Sequence, residues 1–294
     1  MTWRVVTIAD RAFLDFSMDY LVVRRGTTLK KIHIGEIQTL VVESLGTTLT
    51  SYLLSELLRH NVNVVFCDEK HLPVSQVLDL AGKFDAAYML QKQLSWTEST
   101  KALVWQECVR YKILNQAFVL QKHGYASESS ALISYAQNVE EGDCTNREGY
   151  AAKVYFNALF GSKFSRKYDL VENSALNYGY AIILSAVARA VVSTGCINQL
   201  GIFHSSQQNS YNLACDFMEL FRPIVDDFVV SASIEEFNSE IKFELRNLLN
   251  SQFVYNGKKS YLMYIIPQFV TNTINCMHEC MLNNVRYFSM NEEK

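Results

Sequence analysis

Two glutamates and a histidine in the second half of the chain have side chains that could bind one metal ion. Glu148 lies in NREGYAAKVYFNALFG, His204 in GIFHSSQQNSYN, and Glu219 in LACDFMELFRP, with Asp216 one turn before Glu219. Two carboxylates and an imidazole suit a divalent ion such as Mg²⁺ or Mn²⁺, the ions that phosphoryl-transfer enzymes use. These residue types therefore indicate a metal-dependent enzyme that acts on the phosphodiesters of nucleic acids.

Asp216 and Glu219 belong to a segment with helical spacing, whose apolar stripe contains Leu213, Phe217 and Leu220. Because residues three apart are neighbours on a helix, the two carboxylates are expected side by side at the rim of the core. Two carboxylates this close repel each other unless a cation or an added proton relieves them. A solvated acidic edge is the alternative, and for this pair taken alone it is the better interpretation.

Glu148 and His204 also have ordinary structural explanations when each is considered alone. Glu148 lies near the first turn of its helix, where the helix dipole favours an acidic side chain. His204 follows an apolar loop and could be a metal ligand, a general acid or a structural histidine. The spacing of the three residues in the sequence does not show whether they converge.

The elements that must position these residues follow from hydrophobic periodicity, which predicts an α+β multidomain protein. Residues 1–75 contain short segments rich in Val, Ile, Thr and aromatic residues, and they predict a small N-terminal β-sandwich-like domain with one helix. Residues 76–83 are the predicted linker. Residues 84–294 predict a larger all-α C-terminal domain that carries the candidate site.

Local signals predict where individual helices begin and end. The candidate N-caps are, in chain order, Thr47 or Thr48, Thr145 or Asn146, and Asn173. Pro223 is expected to end the helix that carries Glu219. The dipeptide Asn256-Gly257 predicts a hairpin turn within the helical domain.

The net charge of the 294-residue chain is −3, which alone weighs against nucleic-acid binding. A local basic run, in which Glu148 is the only acid, lessens that objection. The candidate DNA-contacting residues are Arg147, Lys153, Lys163, Arg166 and Lys167, with Tyr168 as an aromatic that could stack on an unpaired base. A solvated basic face and a set of core aromatics are the structural alternatives.

Seven irregularly spaced cysteines do not predict a disulfide framework. The start of the sequence, MTWRVVTIADRAFLDF, lacks the features of a secretory signal, so we expect a cytoplasmic protein. The longest apolar stretch, residues 181–192, contains Arg189 and is too short to span a bilayer of about 30 Å, so no membrane partner is expected.

Three blocks of the sequence closely resemble the signature blocks of the CRISPR spacer-acquisition integrase family. In order they are REGYAAKVYFNALFG, SALNYGYAIILSAVARAVVSTGCINQLGIFH and NSYNLACDFMELFRPIVDD. HIGEIQTLVVES, TTLTSYLLSELLRHNVNVVFCDEK and LPVS resemble the first domain of that family. The resemblance covers nearly the whole chain, and the compact length resembles the type II-A branch.

The resemblance implies that Glu148, His204 and Glu219 are the catalytic metal ligands for Mg²⁺ or Mn²⁺, with Asp216 as a further candidate. Some members of the family have Asp where Glu219 stands, which is one methylene shorter but keeps the oxygen chemistry. The implied reaction is transesterification, in which a 3′-hydroxyl of an incoming DNA fragment attacks a phosphodiester at the leader-repeat edge of a CRISPR array.

The resemblance also implies partners. These are a double-stranded DNA fragment with 3′ ends, CRISPR leader-repeat DNA, a second copy of the chain joined through the N-terminal domains, a dimer of a small companion adaptation protein that completes a heterohexamer, a type II-A accessory adaptation protein and an RNA-guided effector nuclease.

Two other functions remain open from the sequence. A metal-dependent endonuclease or phosphodiesterase could use the same three residues to hydrolyse DNA without joining it. A non-enzymatic helical scaffold would leave the acids and His204 with structural roles only.

Overall fold

The computed structural model describes residues 4–69, 71–78 and 85–291, and their strands and helices fall into two units. The units are Met1–Leu80 and Ala81–Lys294. Within the predicted linker, residues 76 and 77 instead belong to the strand Pro73–Val77, which pairs with a neighbouring strand of the first unit. Residues 79–83 of that linker lie outside the described residues.

The first unit contains two four-stranded sheets and a helix. Its elements are β1 (Arg4–Ile8), β2 (Phe13–Ser17), β3 (Tyr20–Arg25), β4 (Thr28–His33), β5 (Ile37–Val42), β6 (Thr48–Leu49), α1 (Ser51–Arg59), β7 (Asn63–Cys67) and β8 (Pro73–Val77). One sheet has the order β1-β5-β7-β8 and the other β4-β3-β2-β6. All six residues of β5 are buried, as is typical of a central strand with parallel neighbours on both sides. The predicted β-rich unit with one helix is confirmed.

The predicted cap of α1 is wrong by two or three residues. Neither Thr47 nor Thr48 caps the helix, since Thr48 belongs to β6 and the N-cap is Thr50. The hydroxyl of Thr50 accepts a hydrogen bond from the backbone N–H of Leu53 at 3.2 Å. Three threonines lie within four positions, and each offers the same capping chemistry, so residue type alone does not select one.

The second unit is helical with one hairpin among its described residues. Its elements are α2 (Ala86–Leu94), α3 (Glu98–Lys122), α4 (Ala126–Gln137), α5 (Arg147–Phe160), α6 (Val171–Ser193), α7 (Asn212–Met218), α8 (Arg222–Ala232), α9 (Ser239–Asn247), β9 (Gln252–Tyr255), β10 (Lys258–Tyr261) and α10 (Leu262–His278). Strands β9 and β10 pair antiparallel around Asn256 and Gly257, both with positive φ, as the dipeptide predicted. The predicted helical region is confirmed.

Two long helices, α3 and α6, are buried along much of their length. By length and composition α6 could cross a membrane, but 67% of its apolar window is buried within the protein. This burial is typical of a core helix, as the sequence predicted for residues 181–192.

Two predicted helix boundaries differ from the structure. Asn173 does not cap α6, which begins two residues earlier at Val171; its side chain is buried and donates to the carbonyls of Ser165 and Tyr168. Pro223 does not end a helix but lies in the first turn of α8, where a missing N–H costs nothing. A 3₁₀ turn, Glu219–Phe221, connects α7 to α8.

Gly179 allows α6 to approach α8 and α9 closely, so we predict that Gly179→Ala destabilises the protein. An added Cβ would overlap a methyl group of Val225 and lie 3.1 Å from a methyl group of Leu245. Overpacking of this kind costs about 1–3 kcal/mol in the free energy of unfolding, measurable by urea denaturation. Ser193→Ala, at the exposed end of the same helix, is the control. Equal stability of both variants would contradict the close-packing argument.

Candidate active site

An ammonium group joins two of the predicted ligands in the second unit. The Nζ of Lys112 on α3 lies 2.5 Å from Oε1 of Glu148 and 2.5 Å from Oε2 of Glu219. Because both oxygens contact the same nitrogen, they are at most about 5 Å apart, twice 2.5 Å. The fold therefore brings together two carboxylates that are 71 positions apart in the sequence, 219 minus 148.

Glu219 is held by a second cation as well. Its Oε1 accepts a hydrogen bond at 2.8 Å from Nε of Arg222, which begins α8 one turn later. Burial acts to raise the pKa of Glu219, but the charges of Arg222 and Lys112 outweigh it and lower that pKa to about 2. Burial acts in turn to lower the pKa of Lys112, and the charges of Glu219 and Glu148 outweigh it and raise that pKa. Glu219 and Lys112 are therefore both ionised at neutral pH.

The start of α5 fixes the position of Glu148. Asp143 accepts hydrogen bonds from the backbone N–H groups of Arg147 at 2.8 Å and Glu148 at 3.1 Å. Asn146 is the N-cap and accepts from the N–H of Gly149 at 3.2 Å, which confirms one of the two predicted caps. These bonds satisfy helix-terminal donors that have no partner within the helix.

Asp216 anchors the loop that carries His204. Its Oδ2 accepts from the backbone N–H of Ile202 at 2.6 Å and of Phe203 at 3.2 Å, and its Oδ1 accepts from the N–H of His204 at 2.9 Å. The same Oδ1 lies 2.6 Å from Nδ1 of the His204 ring. Gly201 makes this approach possible, since an added Cβ would lie 2.7 Å from Oδ2 of Asp216.

The hydrogen bond to Asp216 orients the imidazole of His204, with Nε2 as its other ring nitrogen. That bond raises the pKa of His204; burial opposes the rise, and the charges of Asp216, Glu219 and Glu148 add to it. A carboxylate behind a histidine is the usual arrangement that fixes the tautomer and direction of a metal ligand.

One face of α3 supports both parts of the site. Trp105 stacks on Phe203 with ring centroids 4.3 Å apart and meets the edge of His204 at 5.8 Å. Lys112 follows seven residues later, two turns or about 10 Å along the helix. The buried thiol of Cys108 lies between them on this face, and burial raises its pKa, as do nearby acidic groups.

Asp216 and Glu219 lie neither at the predicted rim of the core nor at the alternative solvated acidic edge. Asp216 is 0% exposed and Glu219 is 4% exposed. Their carboxylates face different partners, because Asp216 binds the loop before α7 while Glu219 binds Lys112 and Arg222. Since Asp216 accepts hydrogen bonds from three backbone N–H groups, which cannot move away as a lysine side chain can, we place it behind His204 and not among the ligands.

Sequence reasoning missed Lys112, Arg222 and Trp105. One signal was available for Lys112, because it occupies a position in the buried register of α3 between Cys108 and Gln116. A charged residue at such a position is rarely buried without a partner of opposite charge.

A cavity of about 180 Å³ adjoins the shared ammonium. It is lined by Lys112, Gln116, Ala152, Phe156, Arg166, Tyr180, Glu219, Arg222 and Asp226. Buried Asp226 accepts hydrogen bonds from the hydroxyls of Tyr155, at 3.1 Å, and Tyr180. Burial raises the pKa of Asp226 to about 6, although its hydrogen bonds and nearby arginines oppose that rise. The guanidinium of Arg222 lies over the ring of Tyr180 at 4.5 Å, which ties this cluster to Glu219.

Glu148, Glu219 and His204 are the side chains that could hold a divalent ion. No three His, Cys, Asp or Glu side chains among the described residues stand close enough to form a complete ion site as they are. The two glutamates nevertheless fit a cation, because their oxygens already meet around one positive charge. The assignment of all three as ligands stays a prediction.

The basic run divides into two groups. Lys153, Lys163, Lys167 and Tyr168 are exposed, as a DNA-contacting surface requires, and Arg147 is half-buried at the start of α5. The guanidinium of Arg166 is already bound by other side chains, since it donates to the side-chain oxygens of Asn173 at 2.6 Å and Asn177 at 2.5 Å. Its predicted phosphate contact is therefore less favoured than those of the lysines.

We predict that Asp216→Ala destabilises the protein far more than His204→Ala. Loss of the carboxylate leaves three backbone N–H groups without their acceptor, which costs about 3 kcal/mol or more in the free energy of unfolding. Loss of the half-exposed imidazole should cost within about 1 kcal/mol. Urea denaturation of both variants measures the difference. Similar losses in the two variants would show that Asp216 does not hold the loop.

Comparisons with known proteins identify the family of the chain. The family model of the CRISPR associated protein Cas1 matches residues 5–263. The chain is 39% identical to the CRISPR-associated endonuclease Cas1 of Neisseria meningitidis over 230 residues, which cover 78% of this chain and 76% of that protein. It is 25% identical to a CRISPR-associated endonuclease Cas1 of Francisella tularensis subsp. novicida over 288 residues, 88% of this chain and 90% of that one.

Solved structures share the fold at lower identity. A casposase bound to integration product superposes with a TM-score of 0.76 at 17% identity, covering 100% of this chain and 96% of that one. A Cas1 protein from Thermotoga maritima superposes with a TM-score of 0.76 at 15% identity, covering 99% and 100%. From the match to the family model and the identity to the Neisseria protein, the chain belongs to the Cas1 family of CRISPR-associated proteins.

Proposed function

We propose that this protein is the metal-dependent integrase of CRISPR adaptation, which joins the 3′-hydroxyl ends of foreign DNA fragments to the leader-repeat edge of a CRISPR array. The observation that carries the proposal is the pairing of Glu148 and Glu219 around one positive charge, near a histidine that Asp216 orients. Family membership supports a CRISPR adaptation nuclease or integrase, and the site's chemistry supports the finer assignment.

Glu148, Glu219 and His204 would hold Mg²⁺ or Mn²⁺. When bound, the ion polarises the phosphoryl oxygen and lowers the pKa of the attacking hydroxyl. Asp216 keeps the imidazole aimed, and the Lys112–Glu219–Arg222 contacts keep the carboxylate of Glu219 ionised. Because His204 must be unprotonated to bind an ion, low pH should weaken ion binding.

A general-acid role for His204 is the alternative within this reaction. The hydrogen bond to Asp216 raises the pKa of the imidazole, which favours the charged form that could protonate the leaving 3′-oxygen. We favour the ligand role, because Asp216 holds Nδ1 of the imidazole and leaves Nε2 for an ion.

DNA and a companion protein are the proposed partners. Two of the similar solved structures are a casposase bound to integration product and a Cas6-RT-Cas1–Cas2 complex, the latter with a TM-score of 0.77 at 18% identity, covering 99% of this chain and 36% of that one. By the family resemblance, two homodimers would flank a dimer of the companion protein in the cytoplasm. The exposed lysines after α5 would then contact the DNA backbone, with Tyr168 beside them.

A plain endonuclease is the second candidate, because the similar Neisseria and Francisella proteins are named CRISPR-associated endonucleases. Hydrolysis and joining use the same ion and differ in whether water or a 3′-hydroxyl attacks. The chemical state of the fragment's end therefore separates the two reactions.

We predict that Glu148→Gln, Glu219→Gln and His204→Ala each lower strand joining at least about a hundredfold, because each removes a proposed ligand. The assay supplies the companion protein, Mn²⁺ and fragments that end in 3′-hydroxyl or 3′-phosphate. Only the hydroxyl fragments should join. Gln is used in place of Ala at the glutamates because it preserves the shape of a buried side chain. Glu128→Gln, an acid in the first turn of α4, is the control.

Two results would contradict this prediction. Joining of 3′-phosphate fragments would exclude attack by the hydroxyl. Full joining by any of the three variants would remove that residue from the mechanism. An unfolding curve that matches wild type would show that a variant's loss of joining comes from the chemistry and not from unfolding.

We also predict that Lys163→Glu and Lys167→Glu each weaken binding of duplex DNA, more at low salt than at high salt. Each lost phosphate contact should lower the slope of log affinity against log salt by about 1. Fluorescence anisotropy over a salt series measures the slope. Lys259→Glu, on β10 and outside the basic run, is the control. A slope that matches wild type would mean that these lysines do not meet phosphate.

A further inference from the structure

We propose that Lys112 is the resident counter-ion of the metal site: a divalent ion must displace its ammonium group from Glu148 and Glu219, and the ammonium then moves to Gln116. This inference rests on the proposed function, because it concerns the same two carboxylates. The inference gives Lys112 a second position, which its ammonium group takes when the ion is bound. Lys112 belongs to neither the sequence motifs nor the proposed ligand set.

The first argument is that the ammonium and the ion need the same oxygens. Lys112 Nζ lies 2.5 Å from one oxygen of each glutamate. The other oxygen of Glu219 accepts from Arg222. An ion that binds both glutamates through the oxygens facing each other would therefore lie where the ammonium now lies.

The second argument is charge balance. Lys112 and Arg222 carry two positive charges, and Glu148 and Glu219 carry two negative charges, so this group is neutral. A divalent ion added beside the ammonium would leave two uncompensated positive charges in a largely buried place. Movement of the ammonium away from the ion reduces that repulsion, which falls with distance.

The third argument is that a second position for the ammonium is already present. Gln116 lies one turn after Lys112 on α3, lines the same cavity of about 180 Å³, and is 2% exposed. Its Oε1 is buried and has no hydrogen-bond partner among the described residues. A buried acceptor without a donor is costly, and lysine has a flexible stem with three donors. Asp226 lines the same cavity and adds a carboxylate.

Mn²⁺ binding tests this inference with a readout independent of catalysis. Lys112→Gln should bind Mn²⁺ about tenfold more tightly than wild type, because no ammonium competes for the glutamates. The same variant should have a lower unfolding midpoint without metal, because two carboxylates then face each other, and a larger upward shift when Mn²⁺ is added. Isothermal titration calorimetry and thermal unfolding measure the two effects. Lys101→Gln, an exposed lysine on α3 paired with Glu98, is the control.

Gln116→Leu tests the second position of the ammonium group, and its expected effect on Mn²⁺ affinity is opposite to that of Lys112→Gln. It removes the acceptor for the displaced ammonium but leaves the metal-free contacts of Lys112 intact. We expect Mn²⁺ to bind about fivefold more weakly, with no loss of metal-free stability. If Lys112→Gln does not fold alone, its recovery on refolding in Mn²⁺, with no such dependence in wild type, supports the same conclusion.

The outcomes separate the failure of this inference from that of the proposed function. Equal or weaker Mn²⁺ binding by Lys112→Gln, alongside clear binding by wild type that Glu148→Gln loses, would overturn the role of Lys112 alone. Absence of Mn²⁺ binding from wild type and Lys112→Gln would overturn both the inference and the metal-dependent function. Unchanged binding by Gln116→Leu would overturn the second position. Binding that appears only in Lys112→Gln would show that the ion does not displace the ammonium group in wild type, and would overturn the displacement.

Discussion

The meeting of two carboxylates around one positive charge is the interaction on which the rest of the site depends. Glu148 and Glu219 come from different helical segments, and like charges this close repel unless a cation lies between them. In this structure Lys112 supplies that cation, and in the proposed reaction a divalent ion does. The same electrostatic requirement thus explains the buried lysine and would also favour the proposed metal ion.

The surrounding residues hold this arrangement by satisfying buried polar groups. Asp216 gathers three backbone N–H groups and the ring of His204, so a single carboxylate determines both the path of the loop and the direction of the imidazole. On the opposite side, Tyr180 supports Arg222, which in turn holds Glu219. Buried charges are stable in such a setting because each has a partner.

Hydrophobic periodicity was sufficient to predict the β-rich first unit and the helical second unit, and the dipeptide Asn256-Gly257 predicted the hairpin. It was insufficient for caps, since Thr48 and Thr50 offer the same hydroxyl and only the register of the chain selects one. Likewise the spacing of Asp216 and Glu219 predicted neighbours at the rim of the core, whereas a 3₁₀ turn after α7 separates their roles. Local sequence patterns predict a helix, but they do not predict which loop packs against it.

For the site, residue types and family resemblance predicted Glu148, His204 and Glu219, and the fold places the two glutamates around one charge, while the role of His204 as the third ligand stays a prediction. Lys112 was not predicted because hydrophobic periodicity assigns its position on α3 to the core, where a charged side chain is not expected. Its partners are 36 and 107 residues away, and only the tertiary fold shows that they meet.

Anomalous diffraction from crystals soaked in Mn²⁺ tests the central claim most directly, because it locates the ion without reference to activity. The account predicts one strong peak within about 2.5 Å of an oxygen from each of Glu148 and Glu219, with Lys112 Nζ moved away from both. A structure that shows Mn²⁺ elsewhere, with the ammonium still between the two carboxylates, would contradict it.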